Sequence, residues 1–175
     1  NTITVEIDGF SSEISFDVVE NPSIYKKDFI KAFGTTNNVG QLGLGSVYPP
    51  GTISLKTVPD ISNVLTLECG GYQTFIILEN GTLMSCGHLY NNGLGKTTST
   101  FLFEIVPDIL NVSSISSGLF HTFLLLNDGT VMCCGQNNNG GLGLGDLTTK
   151  NTFQTVPNVS NVIQVYCGNF NTFLL

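Results

Sequence analysis

The chain has 175 residues, of which 41% are hydrophobic and only 11% are charged, so it has enough apolar material for a sizeable core and is not a disordered chain. Its formal net charge at pH 7 is -7, and all six of its basic residues are lysine. Because a protein neutralises phosphates with a dense cationic surface, this composition excludes nucleic acid as a partner. No apolar run is long enough to span a bilayer, so we expect no membrane partner either.

Residues 1–31 begin with the alternation of apolar and polar side chains that is typical of a β-hairpin. The alternation runs over residues 3–7 and 14–18, and Asp8-Gly9 between them is a turn dipeptide. We therefore predict two antiparallel strands at the start of the chain.

A short helix is predicted next, over residues 24–33. Ser23 is a suitable N-cap, and Tyr25 and Phe29 fall on one face at the spacing of successive helical turns. Residues 1–31 then form a ββα-like segment. We interpret it as the end of another domain, as an adaptor, or as an added strand that seals the structure that follows.

Beyond residue 31, one sequence motif occurs three times. Its copies begin at Gly70, Gly118 and Gly168, which lie 48 and 50 residues apart. A period of this length indicates one supersecondary unit copied in series, too small to bury its own apolar surface and stabilised by its neighbours. A Val-Pro dipeptide keeps the same spacing, at residues 58–59, 106–107 and 156–157.

Each copy contains short, apolar, β-rich runs that end at Gly or Asn-Gly. Asn80-Gly81 supplies the positive φ angles of a two-residue hairpin turn, across which Leu78 and Leu83 pair. Strands that are apolar on both faces suit a sheet covered by neighbouring sheets, and radially stacked blades meet this condition. The predicted strands of the first copy cover residues 64–69, 74–78 and 83–86.

The clearest copy, residues 118–131, has the order Gly-x-x-His-Thr-x-x-Leu-x-x-Asp-Gly-x-Val, and a glycine-rich phrase occupies residues 135–146 and, earlier, 34–45. Together they resemble the repeat of the regulator of chromosome condensation (alpha-tubulin suppressor-like) family, over residues 32–175. The resemblance implies an all-β fold, a β-propeller of seven blades in which each blade is a four-stranded sheet around a central channel. This chain holds about three of the seven blades.

The repeats are incomplete and uneven. The middle glycine-rich phrase, residues 86–95, is shortened, and Gln73 and Asn171 stand where His121 does in the clearest copy. An open arc of blades leaves strand edges unpaired. We therefore expect the chain to be part of a longer protein or to be completed by other copies of itself.

The family resemblance implies two known roles, and the residues bear on both. Docking on chromatin is expected to use an arginine and a basic tail, and the chain has neither. Nucleotide exchange on a Ran-like small GTPase needs no cofactor but is expected to use an inserted hairpin as a wedge. The segments that follow the glycine-rich phrases hold 12, 10 and 10 residues, at 46–57, 96–105 and 146–155, so any wedge lies outside them.

No catalytic constellation is visible, so we predict that the chain is not an enzyme. His121 and Thr122 are adjacent, but no nucleophile, base and orienting group surround them at a recognisable spacing. The equivalents of His121 in the other copies are Gln73 and Asn171, which share with it the ability to hydrogen-bond to backbone. We therefore predict a structural role for His121.

The five cysteines do not form a metal or disulfide pattern. Cys69 and Cys167 occupy one repeat position, and Cys86 and Cys134 another, so the members of each pair lie whole blades apart. There is no Cys-x-x-Cys, and five is an odd number. We predict apolar core thiols, no metal and no cofactor, with a redox role for the adjacent Cys133 and Cys134 as the alternative.

We interpret the chain as a non-catalytic scaffold for protein-protein interaction, whose loops bind a protein partner. The alternatives are a guanine-nucleotide exchange factor for a Ran-like small GTPase, and a structural component of an assembly or virion formed by self-association of blades. Free thiols in core strands favour an intracellular location, in the cytoplasm or the nucleus, with a virion for the structural alternative. The candidate partner-binding residues are His88, Tyr90, Asn91, Asn137, Asn138 and Leu142.

Overall fold

The computed structural model describes residues 30–34, 38–46, 54–89 and 93–175, together with the backbone of two strands near the N-terminus. This part of the chain contains strands, turns and loops, which confirms the predicted all-β class, and none of it is a helix long and apolar enough to cross a bilayer. The strands are β1 (Thr2–Ile7), β2 (Phe10–Ser15), β3 (Lys31–Ala32), β4 (Lys56–Thr57), β5 (Val64–Cys69), β6 (Gln73–Leu78), β7 (Leu83–Gly87), β8 (Thr100–Ile105), β9 (Val112–Ser117), β10 (His121–Leu126), β11 (Val131–Gly135), β12 (Lys150–Thr155), β13 (Val165–Cys167) and β14 (Thr172–Leu174).

The strands assemble in chain order into antiparallel sheets. β5 to β8 form one four-stranded sheet, β9 to β12 form the next, and β13 and β14 begin another. β3 and β4 match the two outer strands of a preceding sheet, because Lys31 pairs with Thr57 as Met84 pairs with Ile105. We call these the first (β3–β4), second (β5–β8), third (β9–β12) and fourth (β13–β14) blades. Two whole and two half blades confirm the prediction of about three.

The hairpin between β6 and β7 has one more loop residue than the sequence predicts. Gly81 has a φ of +83°, Asn80 does not have a positive φ, and Ile77 rather than Leu78 pairs with Leu83. The Leu78 N–H donates to the Thr82 carbonyl at 2.9 Å, closing a three-residue loop that ends in a left-handed glycine. The two-residue turn predicted at Asn80-Gly81 is therefore wrong in length, although the hairpin forms where it was expected.

The Val-Pro dipeptides begin the links from one blade to the next. Each valine is buried, and its N–H donates at 2.9 Å to a carbonyl at the start of the third strand of its own blade. Each link then passes through two left-handed residues, which are Asp or Asn because these side chains tolerate a positive φ better than others do. The valine bonds join Val58 to Ile30, Val106 to Leu83 and Val156 to Val131, and the left-handed pairs are Asp60 and Asn63, Asp108 and Asn111, and Asn158 and Asn161.

Apolar clusters between successive blades form the core. The cluster between the second and third blades includes Phe75 and Ile77 from one blade and Leu124 from the other. The first five residues of both β6 and β10 are buried, so each of these strands is covered on its two faces. This confirms that the uniformly apolar strands are enclosed by neighbouring sheets.

The N-terminal hairpin forms, but its second strand lies earlier than the alternation of side chains predicts. β2 is Phe10–Ser15, whereas the predicted run covers residues 14–18, of which residues 16–18 lie outside the described part of the chain. β1 and β2 pair from Thr2 with Ser15 to Ile7 with Phe10. The pairing leaves two residues between the strands, at the predicted turn dipeptide. Whether residues 1–31 form a segment apart from the repeats stays a prediction.

The helix predicted over residues 24–33 is wrong at its C-terminal end. Lys31 and Ala32 form β3, while residues 24–29 lie outside the described part of the chain. The backbone there is extended because β3 pairs with β4 and the Ile30 carbonyl accepts the Val58 N–H. Tertiary pairing has outweighed a local helical spacing.

The glycines of the loops allow one blade to approach the next, and a matched pair of substitutions isolates this effect. A Cβ at Gly95 would overlap the Phe153 ring of the third blade, whereas a Cβ at Gly145 would meet nothing within 4 Å. Both glycines have positive φ, +69° and +77°. We expect Gly145→Ala to lower the free energy of unfolding by about 1 kcal/mol and Gly95→Ala by about 1–3 kcal/mol more. Urea denaturation measures both, and equal losses would contradict the close approach of the blades.

Candidate binding face

One end of the blades is built from the two kinds of loop that contain glycine. In an antiparallel blade, the turn from the first to the second strand and the loop from the third to the fourth strand emerge at the same end. We call this end the loop face. Its described residues are 33–34, 38–46, 54–55, 70–72, 88–89, 93–99, 118–120, 136–149 and 168–171.

A ladder of aromatic rings, one from each blade, crosses the loop face. Tyr72 and Phe120 are stacked with ring centroids 5.8 Å apart and planes 4° apart, and Phe170 follows at 5.8 Å from Phe120 with a tilt of 50°. We call these three residues the aromatic ladder. The aromatic ladder is not among the predicted contact residues, although the sequence contains a signal for it: each ring lies two positions after one of the repeat glycines.

A threonine in the second strand of each blade bonds to the glycine-rich loop of the preceding blade. The hydroxyl of Thr122 donates to the Gly93 carbonyl at 2.9 Å. The two equivalent bonds run from Thr74 to the Gln41 carbonyl at 2.7 Å and from Thr172 to the Gly141 carbonyl at 3.1 Å. The threonine of the repeat phrase is therefore a link between blades.

His121 also joins two blades. Its side chain is 2% exposed, and Nε2 lies 3.1 Å from the Thr172 hydroxyl. Because that hydroxyl donates to Gly141, the imidazole is the donor in the pair. Gln73, at the equivalent position, donates from Nε2 to the Gly118 carbonyl at 3.3 Å. These bonds are of the kind that the sequence predicts for His121.

The predicted contact residues divide into supporting and exposed groups. Asn137 and Leu142 are 0% exposed. Asn137 Oδ1 accepts the Leu142 N–H at 3.0 Å, and Asn137 Nδ2 donates to the Asp146 carbonyl at 2.8 Å. The two residues therefore stabilise the loop from its buried side. Asn138 is exposed. His88 is half-buried, and its N–H donates to the Tyr72 carbonyl at 3.0 Å. Tyr90 and Asn91 lie outside the described residues.

A buried lysine braces the shortened loop of the second blade. Lys96 is 6% exposed, and its Nζ lies 3.0 Å from the Ser85 carbonyl, 2.9 Å from Thr100 Oγ1 and 3.3 Å from Glu104 Oε2. Burial lowers the pKa of Lys96, while Glu104 opposes this shift. Three acceptors satisfy the ammonium group, so Lys96 is a structural residue. Lys96 is not among the residues predicted from the sequence.

The thiols of the core are held in their neutral form. Burial raises the pKa of Cys86 and of Cys133 to about 12. Adjacent residues of a strand point to opposite faces, and Cys133 lies in the cluster towards the fourth blade while Cys134 lies in the cluster towards the second. The geometry gives no support to a joint redox role. Among the described residues, no three Asp, Glu, His or Cys side chains gather as a metal site.

The burial of His121 predicts a loss of stability in acid. Burial lowers its pKa, opposed by a hydrogen bond to the Asn171 backbone. The unfolded chain therefore binds the proton more readily, and stability falls as the pH drops below about 6.5. We expect His121→Gln, which copies Gln73, to remove up to about 1 kcal/mol of the difference in unfolding free energy between pH 7.5 and pH 5.5. Equal pH dependence in the two proteins would refute this account.

Comparison with known proteins identifies the repeat. The model of the regulator of chromosome condensation repeat matches residues 112–140 and residues 128–175. No curated protein matches the chain significantly. Similar solved structures include Prp20p of Saccharomyces cerevisiae, with 20% identity, a TM-score of 0.67 and coverage of 79% of this chain and 37% of that one.

Two further structures agree in fold. Yeast RCC1 (Prp20), solved with Kap60, is 22% identical with a TM-score of 0.71, covering 84% of this chain and 36% of the other. Human WBSCR16 is 22% identical with a TM-score of 0.72, covering 84% and 39%. The chain thus spans well under half the length of each of these proteins. Residues 112–175 match the regulator of chromosome condensation repeat, and the chain has the fold of part of a β-propeller.

Proposed function

We propose that this chain is a non-catalytic scaffold that binds another protein through its loop face. The aromatic ladder is the observation that carries this proposal. Tyr72 is 36% exposed and Phe170 is 48% exposed, so two of the three rings present apolar surface to solvent at one end of the blades. Aromatic side chains contribute much of the binding energy in protein interfaces, and a row of them supplies a large contact area at low entropic cost.

The rigidity of the loop face supports the same function. Asn137 holds its loop by three side-chain hydrogen bonds, and the Thr122 and Thr172 hydroxyls fix the loops of the second and third blades. A surface whose loops are already ordered loses little conformational entropy when a partner binds.

The proposal of a scaffold without catalysis rests on how the reactive side chains are used. His121 is buried against Thr172, and Lys96 is buried among three acceptors. Burial also keeps the thiols of Cys86 and Cys133 protonated. Each of these groups already has a structural role, which supports binding rather than chemistry.

Substitution of the exposed rings tests the scaffold. The double variant Tyr72→Ser with Phe170→Ser removes two partly exposed rings. Leu110→Ser is the control, because Leu110 is 72% exposed in the link at the opposite end of the blades. We expect the double variant to recover a bound protein from cells of its source at least about tenfold less well than the unchanged chain, as measured by crosslinking and quantitative mass spectrometry. Leu110→Ser should recover it fully. Equal recovery by all three proteins of similar melting temperature would overturn the proposal.

Nucleotide exchange is the second candidate, because Prp20p is described by its binding to Gsp1p and histones. The readout is the release of fluorescent GDP from small GTPases of the source organism. Faster release on addition of the full protein that contains this chain would establish exchange, and an unchanged rate would leave the scaffold function. Since this chain spans 37% of Prp20p, the assay requires the full protein in which the chain occurs.

Self-association of blades is the third candidate and is favoured by exposed apolar side chains near the fourth blade. Phe173 is 65% exposed and Leu147 is 64% exposed. Sedimentation velocity over a hundredfold range of concentration distinguishes the outcomes. A growing sedimentation coefficient supports assembly, and a constant value for a single chain excludes it.

A further inference from the structure

The order of the strands along the chain indicates which two strands could complete the first blade. In the second and third blades, four consecutive strands form one sheet. β3 and β4 correspond to the third and fourth strands of a blade, and the Val58 to Ile30 bond matches the Val106 to Leu83 bond of the complete blade. Among the described residues, the two strands that precede β3 are β1 and β2, which pair with each other as a two-stranded sheet.

The sequence of β1 repeats that of the innermost strand of the second blade. When the sequence is aligned with an offset of 62 residues, β1 (Thr2–Ile7) corresponds to β5 (Val64–Cys69) from its first residue to its last. No gap is needed over residues 1–10, and Phe10 falls on Tyr72 of the aromatic ladder. The identical pairs are Asn1 and Asn63, Thr4 and Thr66, Glu6 and Glu68, and Gly9 and Gly71.

The surface that β1 would cover is exposed. Leu67 of β5 is 41% exposed, while its equivalents in the third and fourth blades, Ile115 and Val165, are half-buried. Cys69 is exposed, and its equivalent Cys167 is half-buried. A groove of about 180 Å³ lies between the first and second blades at this point, and Leu67 and Cys69 line it together with residues of β3.

Adjacent innermost strands are joined by a side chain at one fixed repeat position. Glu68 Oε1 accepts the Ser117 N–H of the next blade at 3.2 Å. Ser116, at the same position one blade later, accepts the Cys167 N–H at 3.0 Å, and its carbonyl accepts the Cys167 thiol at 3.1 Å. In β1 this position is Glu6, and the equivalent amide is that of Cys69.

We propose that the hairpin β1–β2 docks beside β5 as the two innermost strands of the first blade. The Glu6 carboxylate then accepts the Cys69 N–H, β2 pairs with β3, and Phe10 stacks beside Tyr72 as a fourth ring of the ladder. The hairpin is thus the start of the repeats and not a segment of another domain.

Docking changes the hairpin in two respects. Ile7 pairs with Phe10 in the free hairpin, whereas Cys69 pairs with Thr74 in the second blade, so the register moves by two residues. A shift of two keeps every side chain on its own face of the sheet. Glu13 stands where Phe75 does, so the first blade presents a more polar surface to its neighbour than later blades do.

An engineered disulfide tests the docking in the full chain. Glu6→Cys places a thiol beside Cys69, and oxidised glutathione accepts the two electrons as each thiol loses a proton and the S–S bond forms. We expect mass mapping to find an intrachain disulfide between positions 6 and 69. Ser15→Cys is the control, because residue 15 lies at the other end of the hairpin and should form no bond to Cys69. A disulfide between two chains, or equal bonding by both variants, would overturn the proposal.

The unchanged chain gives a second readout. Iodoacetamide should label Cys69 at a rate within about tenfold of Cys167, because docking gives Cys69 the same surroundings. Burial raises the pKa of Cys167 to about 11, so both thiols should react slowly. Labelling of Cys69 about a hundredfold faster than Cys167 would show that β5 is uncovered.

Discussion

The positions of the second, third and fourth blades depend on a threonine hydroxyl that donates to a carbonyl in the glycine-rich loop of the blade before. The bond from Thr122 to Gly93 forms only if the strand that carries the threonine and the loop that offers the carbonyl are both in place. Thr122 is fully buried, and a buried hydroxyl without a partner costs about 1–3 kcal/mol. The same bond at Thr74 and Thr172 therefore sets the orientation of successive blades.

The shortened loop of the second blade keeps this geometry by other means. The Ser85 hydroxyl donates to the Leu94 carbonyl at 3.1 Å, as the Cys133 thiol does to Leu142 at 3.5 Å in the next blade. Leu94 and Leu142 are both 0% exposed. Lys96 then braces the short loop from inside, as Asn137 braces the long one. In the shorter loop, the supporting side chain is therefore Lys96 instead of an asparagine, while the buried leucine and its carbonyl hydrogen bond are retained.

The repeat period and the turn dipeptides were sufficient to predict the blades, because a strand-turn-strand pattern that recurs at a fixed interval has few compact solutions. The extra loop residue at Asn80-Gly81 was not predictable from composition, since the same dipeptide suits two turn lengths. β3 was missed because a two-residue strand has no period of its own and is fixed by pairing with β4.

The candidate site was predicted less well than the fold. Asn137 and Leu142 lie in a loop of the loop face, but their burial depends on how that loop folds back on the sheet. The aromatic ladder escaped notice because its three rings are neighbours only across blades. Comparison of equivalent positions between repeats, rather than of neighbours within one repeat, would have found it.

The chemistry of the junction is the same at every boundary between blades, and this bears on how such a chain changes over evolutionary time. At each described boundary, the later blade supplies the threonine hydroxyl and the earlier blade supplies the loop carbonyl. A unit gained by duplication or lost by deletion therefore meets neighbours that already present the matching groups. The number of blades and the length of each loop are free to vary, while the rules of contact between adjacent blades remain those of a single repeat.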